Sequence, residues 1–398
     1  MRQFILTALL TAALSLSAVS LEEMGGVYYA YPGAPDSVAI DLPAGYKPFY
    51  ISHYGRHGSR WLTSDGKYQW MLDYMDGQEL TPTGQNLRDM MDIAWGQAQG
   101  HGGELTQLGA EQHNGIAHRM IGRFPEVFPD SARVRAKSST VGRCMMSMAA
   151  FTEGLKEVNP SLRVTREAAA RDMAFIHNNS DGLLAIRADS SEWQKTYKAY
   201  RAASVPTERF AEAIFVHPDQ AVEVDNFMEE FFWLAESMQN VGLDLDFFQF
   251  FTPEEMEAVR RAIDYRQYVV NFQNFPDALG PGPESAKNLL RRFIDDADSA
   301  IENGLPAADL RFGHDTSLMQ LLSLMDLGIA PSTLTDPVAI DEAWPEHEIV
   351  PMAANLQLVF FRSPSQPDAI LVQILLNERP LGAPTPWAQL KQKFLSRV

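Results

Sequence analysis

The sequence predicts an α/β fold, a mostly parallel sheet flanked by helices, with a mainly helical cap inserted into the core. Three observations carry this expectation. The β-branched and aromatic run "KPFYISHYG" (47–55) ends in glycine, as a buried strand opening into a loop does. Helical periodicity follows in two Thr-led segments. Between about 156 and 305 strand texture nearly vanishes, and it returns with "ADLRFG" (308–313). The core is therefore expected in two pieces, 21–155 and 306–398, with 156–305 as the insert.

The N-terminus reads as an export signal over residues 1–20. Arg2 supplies a positive start, "FILTALLTAALSLSA" is too short an apolar run to span a membrane comfortably, and Ala18-Val19-Ser20 is a small-x-small cleavage site. A single cysteine, Cys144, excludes an intramolecular disulfide, so an exported chain of this kind relies on its core. A bacterial periplasm is the expected destination.

"LTPTGQNLRDMMDIAWGQAQG" (80–100) and "ELTQLGAEQHNGIAHRMIGRF" (104–124) each open with a capping Thr and continue with apolar residues at three-to-four spacing. "ARVRAKS" (132–138) alternates as a strand, and "STVGRCMMSMAAFTEGL" (139–155) is a helix ending near Gly154, with Met145, Met146 and Met148 as core. In the insert, Thr252, Pro253 and Glu255 form a capping box, Phe227, Phe231, Phe232 and Trp233 are packing residues, and Gly280–Pro283 is a rigid loop. A helix from Thr316 to about Met325, strands at 354–362 and 369–377 joined by "SPSQPD", and a short helix from Thr385 complete the chain.

The chain has 398 residues, 45% of them hydrophobic, and 33 Lys and Arg against 51 Asp and Glu, a formal net charge of -18. Such a balance excludes a general nucleic-acid or anionic-membrane binder, which needs clustered cations in excess. Any anionic substrate must be held by a local cationic pocket.

Three clusters sit where a strand gives way to a loop or helix, the place where ligand sites form in open α/β sheets. In Arg56-His57-Gly58-Ser59-Arg60, guanidinium forks flank an imidazole, a pattern suited to a tetrahedral phosphate. The cations also keep His57 neutral and nucleophilic, and Gly58 lets the backbone approach a ligand closely. Arg143 stands in the first turn of its helix, beside the apolar "CMMSMAAF". His314-Asp315 opens another helix, where free N–H groups favour phosphate, His314 can add a hydrogen bond and Asp315 can protonate a leaving oxygen. His53 is expected to support the loop. It and His101, His113, His118, His177, His217 and His347 have no zinc-ligand spacing, and no calcium loop, Lys-containing phosphate loop or serine elbow is present. A mechanism free of metal and cofactor is expected. Lys67 could touch a distal phosphate, but its ordinary place is in solvent.

Taken together, "YISHYGRHGSR", "ELTQLGAEQHNGIAHRM", "RCMMSMAAFTEGL" and "FGHDTSL" resemble the histidine phosphatase superfamily, in its acid-phosphatase branch of phytases and inositol polyphosphate phosphatases. The resemblance covers most of the α/β core but not the insert. It implies an exported phosphomonoesterase with His57 as the nucleophile that forms a phosphohistidine. Arg56, Arg60, Arg143 and His314 would hold the phosphate and Asp315 would be the general acid. Phytate or another inositol phosphate is the first substrate expected; a broad-specificity acid phosphatase or sugar-1-phosphatase is the alternative, and a non-catalytic phosphate-binding module a more distant one. The chain departs from the family pattern at Leu62, where proline is common, and in lacking disulfides. Its donor motif, His-Asp-Thr, is that of phytases and acid phosphatases rather than the His-Ala-Glu of inositol polyphosphate phosphatases.

Overall fold

The computed structural model describes residues 20–34 and 39–398, so the expected export signal lies outside the described residues except for Ser20. Seven strands, β1 (Lys47–Arg56), β2 (Arg133–Ser138), β3 (Arg163–Glu167), β4 (Ala308–Gly313), β5 (Asn355–Ser363), β6 (Gln366–Leu376) and β7 (Arg379–Pro386), form one sheet in the order β3-β2-β4-β1-β5-β6-β7. The β3-β2-β4-β1 half is parallel and the other joins are antiparallel. Register explains the site's location: Arg56 lies opposite Gly313, and Ser138 opposite Phe312. The three motifs, at residues 56–60, 143 and 314–315, thereby follow the C-terminal ends of three neighbouring parallel strands, β1, β2 and β4.

Alternation along the strands divides the core. Ile51 and Phe312 point into a cluster with Phe151 and Leu155 of the helix Gly142–Val158. Tyr50 and Tyr54 point into the larger cluster shared with the helix Asp315–Met325 and with the helical region between residues 170 and 303. In that region Phe227, Phe231 and Phe232 are fully buried, each contributing about 1.5–3 kcal/mol by burial. The Thr252 capping box is present, as are the Thr81 and Thr106 caps, which accept from the Gly84 and Gly109 N–H groups.

The structure adds to and corrects the sequence reading. Arg163–Glu167, within the stretch read as helical, is the edge strand β3; at five largely exposed residues it has no apolar alternation to announce it. The helix Asp65–Asp76 and the strand β7 were not anticipated, and the final helix begins at Trp387 rather than Thr385. Pro281–Ser285 is a short helix, not a loop. Gly154 does not end its helix, which runs on to Val158. Instead it permits close helix packing, since a Cβ there would lie 2.9 Å from the Asn114 carbonyl oxygen. Met148 is core, but Met145 and Met146 are exposed because they follow the helix round to its outer face.

His53 and His113 are buried among Phe151 and Phe312, behind the first motif. Burial pushes His113 down to about 3, against a smaller opposing pull from the backbone at Arg56. Between that value and the unfolded value of about 6.5 the unfolded chain binds the extra proton, so stability falls as pH drops through this window. His113→Phe keeps a ring in the aromatic cage without that proton. Guanidinium unfolding at neutral and mildly acidic pH should find the wild type losing more stability on acidification than the variant, by about 3 kcal/mol between pH 7 and 4. Equal losses would refute the assignment.

Candidate active site

The first motif is held by backbone contacts that admit no side chain at Gly58. A Cβ there would lie 2.4 Å from the Gly109 carbonyl oxygen, and one on Gly109 would lie 2.3 Å from that of Ser59. The close approach Gly58 allows is thus to the helix Gln107–Arg123, not to a ligand. The Gly58 N–H donates to Ser147 Oγ (3.1 Å), the Ser59 N–H to Gln112 Oε1 (2.9 Å), and the Ser59 hydroxyl to Asn240 Oδ1 (2.6 Å). His57 is anchored through its own backbone, donating to the Gly313 oxygen and accepting from the Ala353 N–H. Its Nδ1 lies 2.9 Å from the Gly58 carbonyl oxygen. A carbonyl only accepts, so Nδ1 carries the proton and Nε2 is left with a lone pair. Burial, then Arg56, Arg143, Arg60 and His314, hold the imidazole well below its usual range.

The structure brings all six sequence-predicted residues together. Arg56 is fully buried: Nη1 donates to the Val27 and Val350 carbonyls (2.5 and 2.6 Å), and Nη2 pairs with Asp315 Oδ2 at 2.9 Å. Arg60 lies over the Tyr28 ring, 4.6 Å from its centroid, and donates to the Tyr28 hydroxyl (2.9 Å) and the Trp61 carbonyl (2.8 Å). Arg143 reaches His314, its Nη2 3.5 Å from Nδ1, and the His57 and His314 rings meet edge to face at 5.7 Å. Gly313 before them is obligatory, because a Cβ would lie 2.0 Å from the Tyr54 hydroxyl.

Asp315 is subject to opposing influences. Burial raises its pKa, but Arg56 first, then His314, Arg60 and the Thr316 N–H, outweigh burial and hold the carboxyl at about 2. The free site therefore contains an ionised Asp315. Burial, then His177 and Arg143, lower His314 to about 3, so this ring is neutral too.

Arg143, His314 and Asp315 line a cavity of about 640 Å³, and Arg143 also lines a second of about 610 Å³ on its other side, where exposed Met146 sits. The first cavity contains residues the sequence reading missed: His177, Arg187, Gln194, Arg266 and Asn271. Arg187 donates to Asn179 and Asn271 and pairs with no carboxylate among the described residues, while Arg266 pairs with buried Glu229. In the sequence of amphipathic helices these charges look like ordinary solvated faces, and only their convergence with motif residues more than 40 positions away marks them. His177, set aside for want of metal spacing, lies 4.4 Å from the His314 ring and contacts Ser317 Oγ. Lys67 is paired with Glu230 at 2.6 Å.

Residues 55–377 match a family model described as histidine phosphatase superfamily (branch 2). The chain is 22% identical over 373 residues to multiple inositol polyphosphate phosphatase 1 of Gallus gallus, covering 87% of this chain and 80% of that protein. Among solved structures, the Bifidobacterium longum multiple inositol polyphosphate phosphatase in complex with inositol hexasulfate superposes with a TM-score of 0.70 at 18% identity, covering 90% and 92% of the two chains. The phytase from D. castellii gives 0.63 at 14% identity, covering 95% and 85%. These likenesses establish the fold, including the mixed sheet with its parallel half.

Tyr28, outside every motif, fixes the direction of Arg60. In Tyr28→Phe the ring remains under the guanidinium but its hydroxyl is lost. Calorimetric titration with inorganic phosphate should give an affinity about tenfold weaker, in keeping with the loss of one charge-assisted hydrogen bond. An unchanged affinity would show that Arg60 does not need this support.

Proposed function

The chain belongs to branch 2 of the histidine phosphatase superfamily and is a phosphoric monoester hydrolase; on that premise we propose that it cleaves inositol polyphosphates through a phosphohistidine on His57. The observation that carries the mechanism is the fixed tautomer of a buried, neutral His57 among three arginines, opposite an acid–base carboxyl. The Nε2 lone pair attacks phosphorus and the bond to the ester oxygen breaks. Arg56, Arg60 and Arg143 offset the charge spread over the phosphoryl oxygens, the task a metal performs elsewhere. The leaving oxygen takes a proton from Asp315. Water then attacks the phosphohistidine, giving its proton back to Asp315, and His57 is released.

Because Asp315 is ionised in the free site, its proton must arrive with the substrate. A singly ionised ester carries one on a phosphoryl oxygen and can pass it to the carboxylate as the anion enters between Arg56 and Arg143. The second ionisation of a phosphate monoester lies at about 6. Accordingly kcat/KM should be highest below about pH 6 and fall about tenfold per unit above it, with the His57 limb displaced far into acid. An optimum on the alkaline side would contradict this proton inventory. His57→Ala should abolish hydrolysis of an aryl phosphate, while the wild-type rate should survive EDTA; full activity in the variant would end the phosphohistidine reading.

Support for a polyphosphorylated substrate comes from the 640 Å³ cavity, where Arg187, held by the Asn179 and Asn271 amides, stands ready for a phosphate that is not being cleaved. The names of the relatives point the same way. Arg187→Ala should raise KM for phytate about tenfold, the worth of one charge-assisted contact, and leave an aryl monophosphate unaffected. Equal effects on both esters would instead support a broad-specificity phosphatase. Export to a periplasm, with cleavage near residue 21, is proposed on the N-terminal sequence and is tested by cell fractionation and N-terminal sequencing of the mature chain.

A further inference from the structure

Three polar side chains meet the ring nitrogens of His314, and together they determine which nitrogen carries the proton. Arg143 Nη2, which can only donate, faces Nδ1 at 3.5 Å. On the other side, Cys144 Sγ lies 3.2 Å from the Gly313 carbonyl oxygen. The thiol proton is directed there, leaving the sulfur as an acceptor facing His314 Nε2 at 3.7 Å. Ser139 Oγ, fully buried, lies 3.3 Å from the same nitrogen. All three contacts are satisfied by a proton on Nε2 and a lone pair on Nδ1. The opposite tautomer would set an Nδ1 proton against an arginine N–H.

We infer that Ser139 and Cys144 lock His314 as a hydrogen-bond acceptor toward the phosphate, so that the site selects the singly ionised, proton-bearing form of its ester. Once Arg143 turns to the anion, Nδ1 receives the P–OH of the arriving ester, before that proton passes to the neighbouring Asp315, and repels a bare phosphoryl oxygen. Ser139 and Cys144 are positioning residues; neither touches substrate. The charged and titratable groups facing His314 are Arg56, His57 and Tyr54 from β1 and its loop, Arg143 and Cys144 from the helix Gly142–Val158, His177 from the insert, and Asp315 beside it. This inference rests on the phosphatase reading for its purpose but not for its test.

The test compares two tetrahedral anions in the intact protein. Methylphosphonate carries one P–OH as the monoanion in mild acid and none as the dianion at about pH 9; methanesulfonate has the same shape, a single charge throughout and no proton to offer. In mild acid both ions carry a single charge, so their affinity ratio there isolates the P–OH contact. In calorimetric titrations the wild type should prefer methylphosphonate to methanesulfonate by about tenfold at about pH 5, one good hydrogen bond, whereas at about pH 9, with no P–OH left, a change at Ser139 should no longer alter the ratio. Ser139→Ala should narrow the ratio at the lower pH and Ser139→Thr, which keeps the hydroxyl, should restore it. In ¹⁵N NMR of the histidines, His314 should have a protonated Nε2 and a bare Nδ1 before phosphate is added. Equal affinities for the two ions at about pH 5, or a protonated Nδ1, would overturn the inference even if Ser139→Thr failed to fold. Absence of ester turnover with the expected ratio would count against the catalytic reading alone.

Discussion

The site depends on one ion pair, fully buried Arg56 with half-buried Asp315. The Arg56 charge alone in that interior would cost several kcal/mol, so it needs its carboxylate partner. The pair joins the end of β1 to the start of the helix Asp315–Met325. Arg56's other amino group reaches back to Val27 and forward to Val350, so four distant segments meet on one guanidinium. Arg56 therefore serves as much to assemble the cage as to hold an anion. Preorganisation of this kind means that little need move when charge develops on a phosphoryl group.

The protonation states follow from the same arrangement. Three guanidinium charges against one carboxylate leave two positive charges in the cage, and beside them burial keeps His57 and His314 neutral. A nucleophile that is never a cation in the working range and an acid that is ionised until substrate arrives are two results of one field. Asp315 would be expected to act as a proton donor in acid if considered alone. Paired with Arg56, it becomes a proton acceptor in the free enzyme, and its donor role waits on the ester's own proton.

The parts of this design written locally were legible in the sequence. RHGxR after an apolar strand, Arg143 in a first helical turn and His314-Asp315 before a helix each follow from strand-to-loop punctuation, and the parallel register then fixes their meeting. What escaped has no local mark. β3 is a short exposed edge strand, Tyr28 looks like one more aromatic residue near the N-terminus, and Arg187 and Arg266 look like charges on solvated helices. Gly58 was legible as a site of close approach, but the partner, Gly109, could be identified only once the helix was in place.

A last constraint lies behind Arg56, where Glu236, Asp264 and Glu346 are buried close together. Burial, then Asp264, raises Glu346 well above the usual carboxylate range, and burial, then Asp264 and Glu346, does the same for Glu236. Asp264, paired with Arg260, is raised to about 6. The arrangement fits the needs of the cage. An ionised Glu346 would be a second anion competing for Arg56 and would weaken the field that holds His57 neutral and Asp315 ionised. Kept protonated, it leaves Arg56 to Asp315 alone. Gly26 makes room for this, with a backbone φ of 48° and a Cβ position only 2.7 Å from Glu346 Oε2, so any side chain there would displace the carboxyl. The N-terminal segment that carries Val27 and Tyr28 to the two motif arginines thus also shapes the neutral acid reserve behind them.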